Sequence, residues 1–165
     1  MNIEIIQKTN KEYYVEYYSQ WLKYKSKLKK WESIIGFISL LLSIIIYSIN
    51  VSFFSYSIGL GIFGSLMIYE FYSSKHKWLK ARMKSKMSNN SFKIIFKENG
   101  VETFAQFSET KGKWNLFSNA IKTKKGLILI PENGTSLYLQ NNVFEKKSDI
   151  DDIIIRIQKT KANNG

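Results

Sequence analysis

The stretch SIIGFISLLLSIIIYSINVSFFSYSIGLGIFGSLMIY, residues 33–69, runs for 37 positions without a charged side chain, and Glu32 and Glu70 bracket it. Apolar residues at that density belong either in a protein interior or in lipid. A chain of 165 residues leaves too little protein to cover a buried hairpin of this size, so lipid is the expectation. The run divides at YSINVSFFS into two spans, 33–49 and 53–69, each 17 residues long. As helices these measure about 26 Å, the short end of what crosses a bilayer.

Within the second span, Gly59, Gly61 and Gly64 match the glycine spacing of a dinucleotide-binding fingerprint. That fingerprint needs its glycines between a strand and a helix, with an acidic residue about 20 positions later. Here they lie in mid-span, and Met83, Lys84 and Ser85 occupy the later positions. No cofactor is expected. The spacing Ser57, Gly61, Ser65 instead clears one helical face for close approach, and Gly36, Ser39 and Ser43 offer a matching face on the first span. The two faces are expected to pack together, with homodimer packing as the competitor.

The net charge of +12 is concentrated. Lys23, Lys25, Lys27, Lys29 and Lys30 precede the apolar run, and Lys75, Lys77, Lys80, Arg82, Lys84 and Lys86 follow it. These eleven account for nearly all of the excess, since the remaining 14 basic residues face 13 acidic ones. A nucleic-acid surface is therefore not expected, and the blocks are assigned to anionic lipid headgroups at the membrane surface. Basic flanks stay in the cytoplasm, whereas the connection near Asn50 carries no charge. The expected topology is multi-pass in the cell (inner, plasma) membrane, with both termini cytoplasmic and a small turn outside. Some thirty mostly polar residues precede the run and no small-residue cleavage site follows, so the first span reads as an uncleaved signal anchor.

Ahead of the spans, Tyr14, Tyr17, Tyr18, Trp21, Tyr24, Leu28 and Trp31 recur at helical spacing, with Thr9 as cap and Glu12 completing a capping box. This stripe suits a helix in the headgroup layer, or equally one covering a soluble domain. Beyond Met87 the pattern changes to strands near 92–97, 101–107, 119–123, 127–131 and 136–140. A helix follows from about 148, capped by Ser148 with Asp151 in the capping-box position. NIEIIQK, at the start, could add a strand.

The order of these parts, with FKENGVE, then ETKGKWNLFSNAIKTKKGLILI, then LYLQNNVF before an acidic-start helix, is similar to the bacterial YcxB-like membrane proteins. Lys113-Trp114 stands where that family has its Lys-Trp pair. Leu139, Gln140, Asn141 and Asn142 replace the family's proline and basic pair, so no ligand role of that pair carries over. The resemblance implies a PH-like cytoplasmic domain and brings no established activity.

The expectation is thus an α+β membrane protein: a two-helix transmembrane hairpin plus a small antiparallel β-sheet cytoplasmic domain closed by a C-terminal helix. Its parts are 1–31 (strand and amphipathic helix), 32–72 (hairpin), 73–90 (basic helix and linker) and 91–165 (β-rich domain). With no cysteine, a single histidine (His76) beside the membrane and no phosphate loop, catalysis is not expected. Asp149, Asp151 and Asp152 read as helix-start electrostatics rather than a metal site. The functional expectation is a binding or regulatory role at the inner face of the membrane, with a protein partner or homo-oligomer; the alternative is immunity against a bacteriocin or pore-forming toxin.

Overall fold

Alternating burial opens the chain: in β1 (Asn2–Lys8), Ile3, Ile5 and Gln7 point inward while their neighbours face out. The computed structural model describes residues 1–26, 29, 31–49, 51–106 and 108–162. β1 pairs antiparallel with β2 (Ser91–Lys97), Asn2 lying opposite Lys97 and Lys8 opposite Ser91. β3 (Val101–Ala105) and β4 (Ser108–Gly112) extend this sheet in the order β1-β2-β3-β4. β5 (Phe117–Lys122), β6 (Gly126–Pro131) and β7 (Leu137–Gln140) form a second antiparallel sheet, and the helix α4 (Ser148–Ala162) follows. Ile5, Ile94 and Phe96 from the first sheet, Leu127, Leu129 and Leu139 from the second, and Ile150, Ile153 and Ile157 of α4 share one core. Trp114 joins it, stacking on Phe96 at 5.8 Å and donating its indole N–H to Lys97 O and Glu98 O.

The chain forms two units, one of residues 1–24 with 82–165 and one of residues 25–81, so that in sequence the second interrupts the first. β1 and α1 (Lys11–Tyr24) accordingly belong with the C-terminal sheets. The tyrosine stripe covers the sheet unit: Tyr14, Tyr17 and Tyr18, with Tyr13 just ahead of them, are all buried. Tyr17 stacks on Tyr138 at 5.5 Å and Tyr13 lies 5.9 Å from the same ring. Leu28 lies outside the described residues, and Trp31, the last of the stripe, is exposed.

Several local expectations are corrected. The cap of α1 is Asn10, whose side chain accepts from Tyr13 N at 2.9 Å. Thr9 is diverted because its hydroxyl donates to backbone carbonyls of Met87 and Asn90. Ser148 is already helical, and Asp151 pairs with Lys122 at 2.5 Å instead of closing a capping box. The strand expected over 101–107 ends at Ala105, with Phe107 outside the described residues, and β4 is an addition.

In the second unit, α2 (Glu32–Ile49) and α3 (Phe54–Met83) are both long and apolar enough to cross a membrane, and only 11% of each apolar window is buried. A core helix of a soluble protein would be mostly buried. α3 also continues unbroken through the basic segment to Met83. The helices meet along small residues: Ser43 Oγ donates to Ser57 O at 2.7 Å, and Ser57 Oγ returns a bond to Ser43 O at 2.9 Å. A side chain at Gly61 would press on Ser43, and one at Gly64 would meet Gly36 O at 2.7 Å. Ser39 is buried in the same seam. Ser65 is not in it; exposed, it bonds Gly61 O of its own helix at 2.9 Å. Two packed helices keep positions about 3.5 residues apart in register, so 57, 61 and 64 stay on the seam and a second four-residue step leaves it.

Gly64→Leu should therefore force the helices apart and destabilise the hairpin by about 1–3 kcal/mol. Gly59→Leu, at a site with nothing within 4 Å, should be neutral. Thermal unfolding in neutral detergent micelles distinguishes the two.

Candidate functional site

Three residues distant in sequence converge where β1 and β7 end beside the middle of α1. Gln7, fully buried, accepts from Gln140 N at 3.0 Å and donates to Gln140 Oε1 at 2.9 Å. Glu16, on α1, accepts from the Tyr138 hydroxyl at 2.8 Å and from Gln140 Nε2 at 3.1 Å. Its other oxygen lies 3.6 Å from Lys125 Nζ. Tyr13 and Tyr17 donate to the carbonyls of Tyr138 and Ser136 at 2.9 and 2.6 Å. β7 is an edge strand of the second sheet. Two of its outward backbone groups, which would otherwise invite another chain, are taken: Tyr138 O by Tyr13 of α1 and Gln140 N by Gln7 of β1.

Of the residues assigned from sequence to the span seam, Gly36, Ser39, Ser43, Ser57 and Gly61 come together, and Gly64 replaces Ser65. Among those assigned to the membrane surface, Lys25, Lys75, Lys80, Lys84 and Lys86 are exposed. Lys23 lies over the Tyr24 ring at 5.3 Å, Lys29 is 3.3 Å from Glu32, and Lys77 is 2.7 Å from Glu70. Arg82 is half-buried, and its charge acts on the Tyr13 and Tyr17 phenols. Lys27 and Lys30 lie outside the described residues. His76 is exposed. The acidic residues of α4 separate in role: Asp149 accepts from Lys146 N at 3.2 Å, while Asp151 holds Lys122. Among the described residues no group of three His, Cys, Asp or Glu is placed to hold a metal ion.

Sequence reasoning missed Gln7, Tyr13, Glu16 and Gln140. Tyr13 sits one position ahead of the recognised stripe, and its adjacency to Tyr14 was the available signal. The glutamines carry no such sign. Comparison of the chain with protein-family models, curated proteins and solved structures finds no match in any of the three.

The buried phenols respond to pH. Burial, the largest cause, pushes Tyr13, Tyr17 and Tyr138 above their ordinary value of 10.0; the neighbouring phenols add to the effect at Tyr13, and Glu16 does so at Tyr138. A phenol whose folded-state pKa is raised holds its proton longer folded than unfolded, so its contribution is complete below about pH 10 and is lost as pH rises further. Stability of the sheet unit, followed by denaturant unfolding at each pH, should thus be level from neutral pH to about 10 and fall above it. Tyr13→Phe should cost about 1 kcal/mol in denaturant unfolding at neutral pH by losing one hydrogen bond.

Proposed function

We propose that this chain is a membrane-anchored, non-catalytic binding or regulatory module of the YcxB-like kind, its hairpin crossing the bacterial inner membrane twice and its sheet unit working in the cytoplasm. The observation that carries this reading is the inverted polarity of the hairpin. Glycine and serine fill the seam, while Phe37, Leu41, Ile44, Ile62 and Leu66 are exposed on the outside. Water would penalise that surface, whereas hydrocarbon accepts it.

Exposed rings add a second support. Trp31 and Tyr47 are 16 positions apart, as are Tyr56 and Tyr72. At 1.5 Å per residue each pair is separated by about 24 Å, which sets two aromatic belts near the boundaries of a thin hydrocarbon layer. The succession of a four-strand and a three-strand antiparallel sheet followed by one helix favours the PH-like assignment of the soluble unit. Such a unit binds through its surface rather than by chemistry at a nucleophile, in keeping with the residues available.

The immunity alternative draws on one feature, an apolar notch of about 520 Å³ between Ile46, Ile49, Phe53 and Tyr56 beside the hairpin turn. In that reading, alanine at Phe53 and Tyr56 abolishes protection against a co-encoded toxin without affecting insertion.

Because the chain has no cysteine, single introduced thiols report topology directly. Ser52→Cys should react with a membrane-impermeant maleimide in intact spheroplasts, and Lys147→Cys only after lysis. Labelling of Lys147→Cys in intact spheroplasts, or recovery of the folded protein in the aqueous fraction without detergent, would contradict the proposal.

A further inference from the structure

The β5–β6 turn and the short helical turn after β7 border a cleft of about 240 Å³, lined by Glu16, Lys124, Lys125, Gln140, Asn141 and Asn142. Its backbone is firmly tied. Thr123 Oγ1 accepts from Gly126 N at 3.0 Å and donates to Gly126 O at 2.9 Å. Asn141 N donates to Lys125 O at 2.9 Å, and Asn141 Nδ2 to Lys124 O at 3.2 Å, joining the two turns. Gly126 admits no side chain, since a Cβ there would meet Leu139 O at 2.0 Å.

On this fixed frame the charges are unbalanced. The Lys124 ammonium has no carboxylate partner among the described residues. Lys125 lies 3.6 Å from Glu16 Oε2, longer than a hydrogen bond, and the opposite oxygen of Glu16 is already engaged by Tyr138 and Gln140. Lys124 N donates to the Tyr24 hydroxyl at 3.2 Å, and Lys23 Nζ lies over that same ring. Two ammonium groups, Lys124 and Lys125, and Asn141 and Asn142 therefore line the cleft together with one carboxylate, Glu16. Tetrahedral oxyanions suit several N–H donors converging from different elements, and ammonium groups strengthen each such bond.

We propose that this cleft binds a phosphate group, presented by an anionic phospholipid headgroup or by a soluble phosphate compound. On binding, Lys125 leaves Glu16 and joins Lys124 on the phosphate oxygens. The headgroup source rests on the membrane reading, whereas the phosphate chemistry does not.

The test uses the isotope-labelled full chain in neutral detergent micelles, following the amide resonances of Lys124, Lys125, Gly126, Asn141 and Asn142. Glycerol phosphate, phosphatidylglycerol and phosphatidylcholine are titrated separately. Saturable shifts at these amides with phosphatidylglycerol alone identify the headgroup; shifts with glycerol phosphate as well identify a soluble compound. The double variant Lys124→Gln, Lys125→Gln should weaken binding about tenfold or more, from the loss of charge-assisted bonds. Glu16→Gln, which keeps an acceptor for Tyr138 and removes the competing charge, should tighten it. The unliganded spectra of both variants verify their folding. The proposal is overturned by no saturable shift at these amides, by an equal response to phosphatidylcholine, by binding that survives the double variant, or by weaker binding in Glu16→Gln. The glycerol phosphate arm needs no membrane insertion, so its result is independent of hairpin topology.

Discussion

The return of the chain from Thr9 to Asn90 is the constraint on which the rest of the molecule depends. Thr9 N donates to Asn90 O at 2.8 Å, Asn89 N donates to Thr9 O at 2.7 Å, and the Thr9 hydroxyl reaches the carbonyls of Met87 and Asn90. Closing a loop of about 80 residues costs about 4 kcal/mol in chain entropy, a cost that grows only slowly with length. The β1–β2 ladder, with Ile3, Ile5, Phe92, Ile94 and Phe96 buried along it, more than offsets that at about 1.5–3 kcal/mol for each fully buried side chain. Asn89 completes the closure by taking a φ of 59°, a conformation asparagine tolerates better than most side chains. An entire helical unit can thus interrupt the sheet unit without preventing its first strand from pairing with its second.

Because α1 lies between β1 and the interruption, its position is fixed from one side by the ladder and from the other by β7. The helix is joined to β7 chiefly through main-chain carbonyls and the half-buried Glu16 carboxylate, with ring stacking on Tyr138 between them. This explains why β6 is buried along most of its length: Leu127 and Leu129 face the core with α4, while Ile128, opposite Tyr138 in the ladder, lies outside that core cluster and is equally buried. A strand covered on both faces reads as a continuous apolar run, which is how GLILI appears. α4 serves the opposite edge strand, with Lys122 held by Asp151 and Ser118 O accepting from Lys161 at 3.3 Å.

How much of this was legible in the sequence follows from which interactions leave a periodic trace. Two apolar helices, β2, β6, β7 and α4 announce themselves because burial on one face, or on two, repeats with helix or strand spacing. β4 did not, since SETKG is exposed almost throughout and is held by its ladder to β3 rather than by side-chain burial. The seam between α2 and α3 was legible as a class of small residues. Choosing Gly64 over Ser65 required the crossing geometry, which composition does not contain. Likewise, Thr9 and Asn10 are both capping residues by type, and only the distant carbonyls of Met87 and Asn90 decide between them. The Gln7–Gln140 and Glu16–Tyr138 contacts span more than 120 residues and carry no spacing signal at all.

The acidic residues at the two ends of the apolar run pose an electrostatic question, because Glu32 and Glu70 engage lysines from the blocks assigned to lipid. Magnitudes decide it. The Glu70–Lys77 pair is about half exposed on both sides, where solvent screens the attraction and leaves little net gain. A single lysine beside an anionic leaflet gains comparably little. The two arrangements are therefore exchangeable, and the pair does not withhold Lys77 from a phosphate-rich surface. Under the proposed membrane placement, contact with headgroups replaces the pair. Both terms weaken as salt rises, so in that placement the fixed attachment comes from the uncharged hairpin, with the basic blocks setting its orientation rather than its strength.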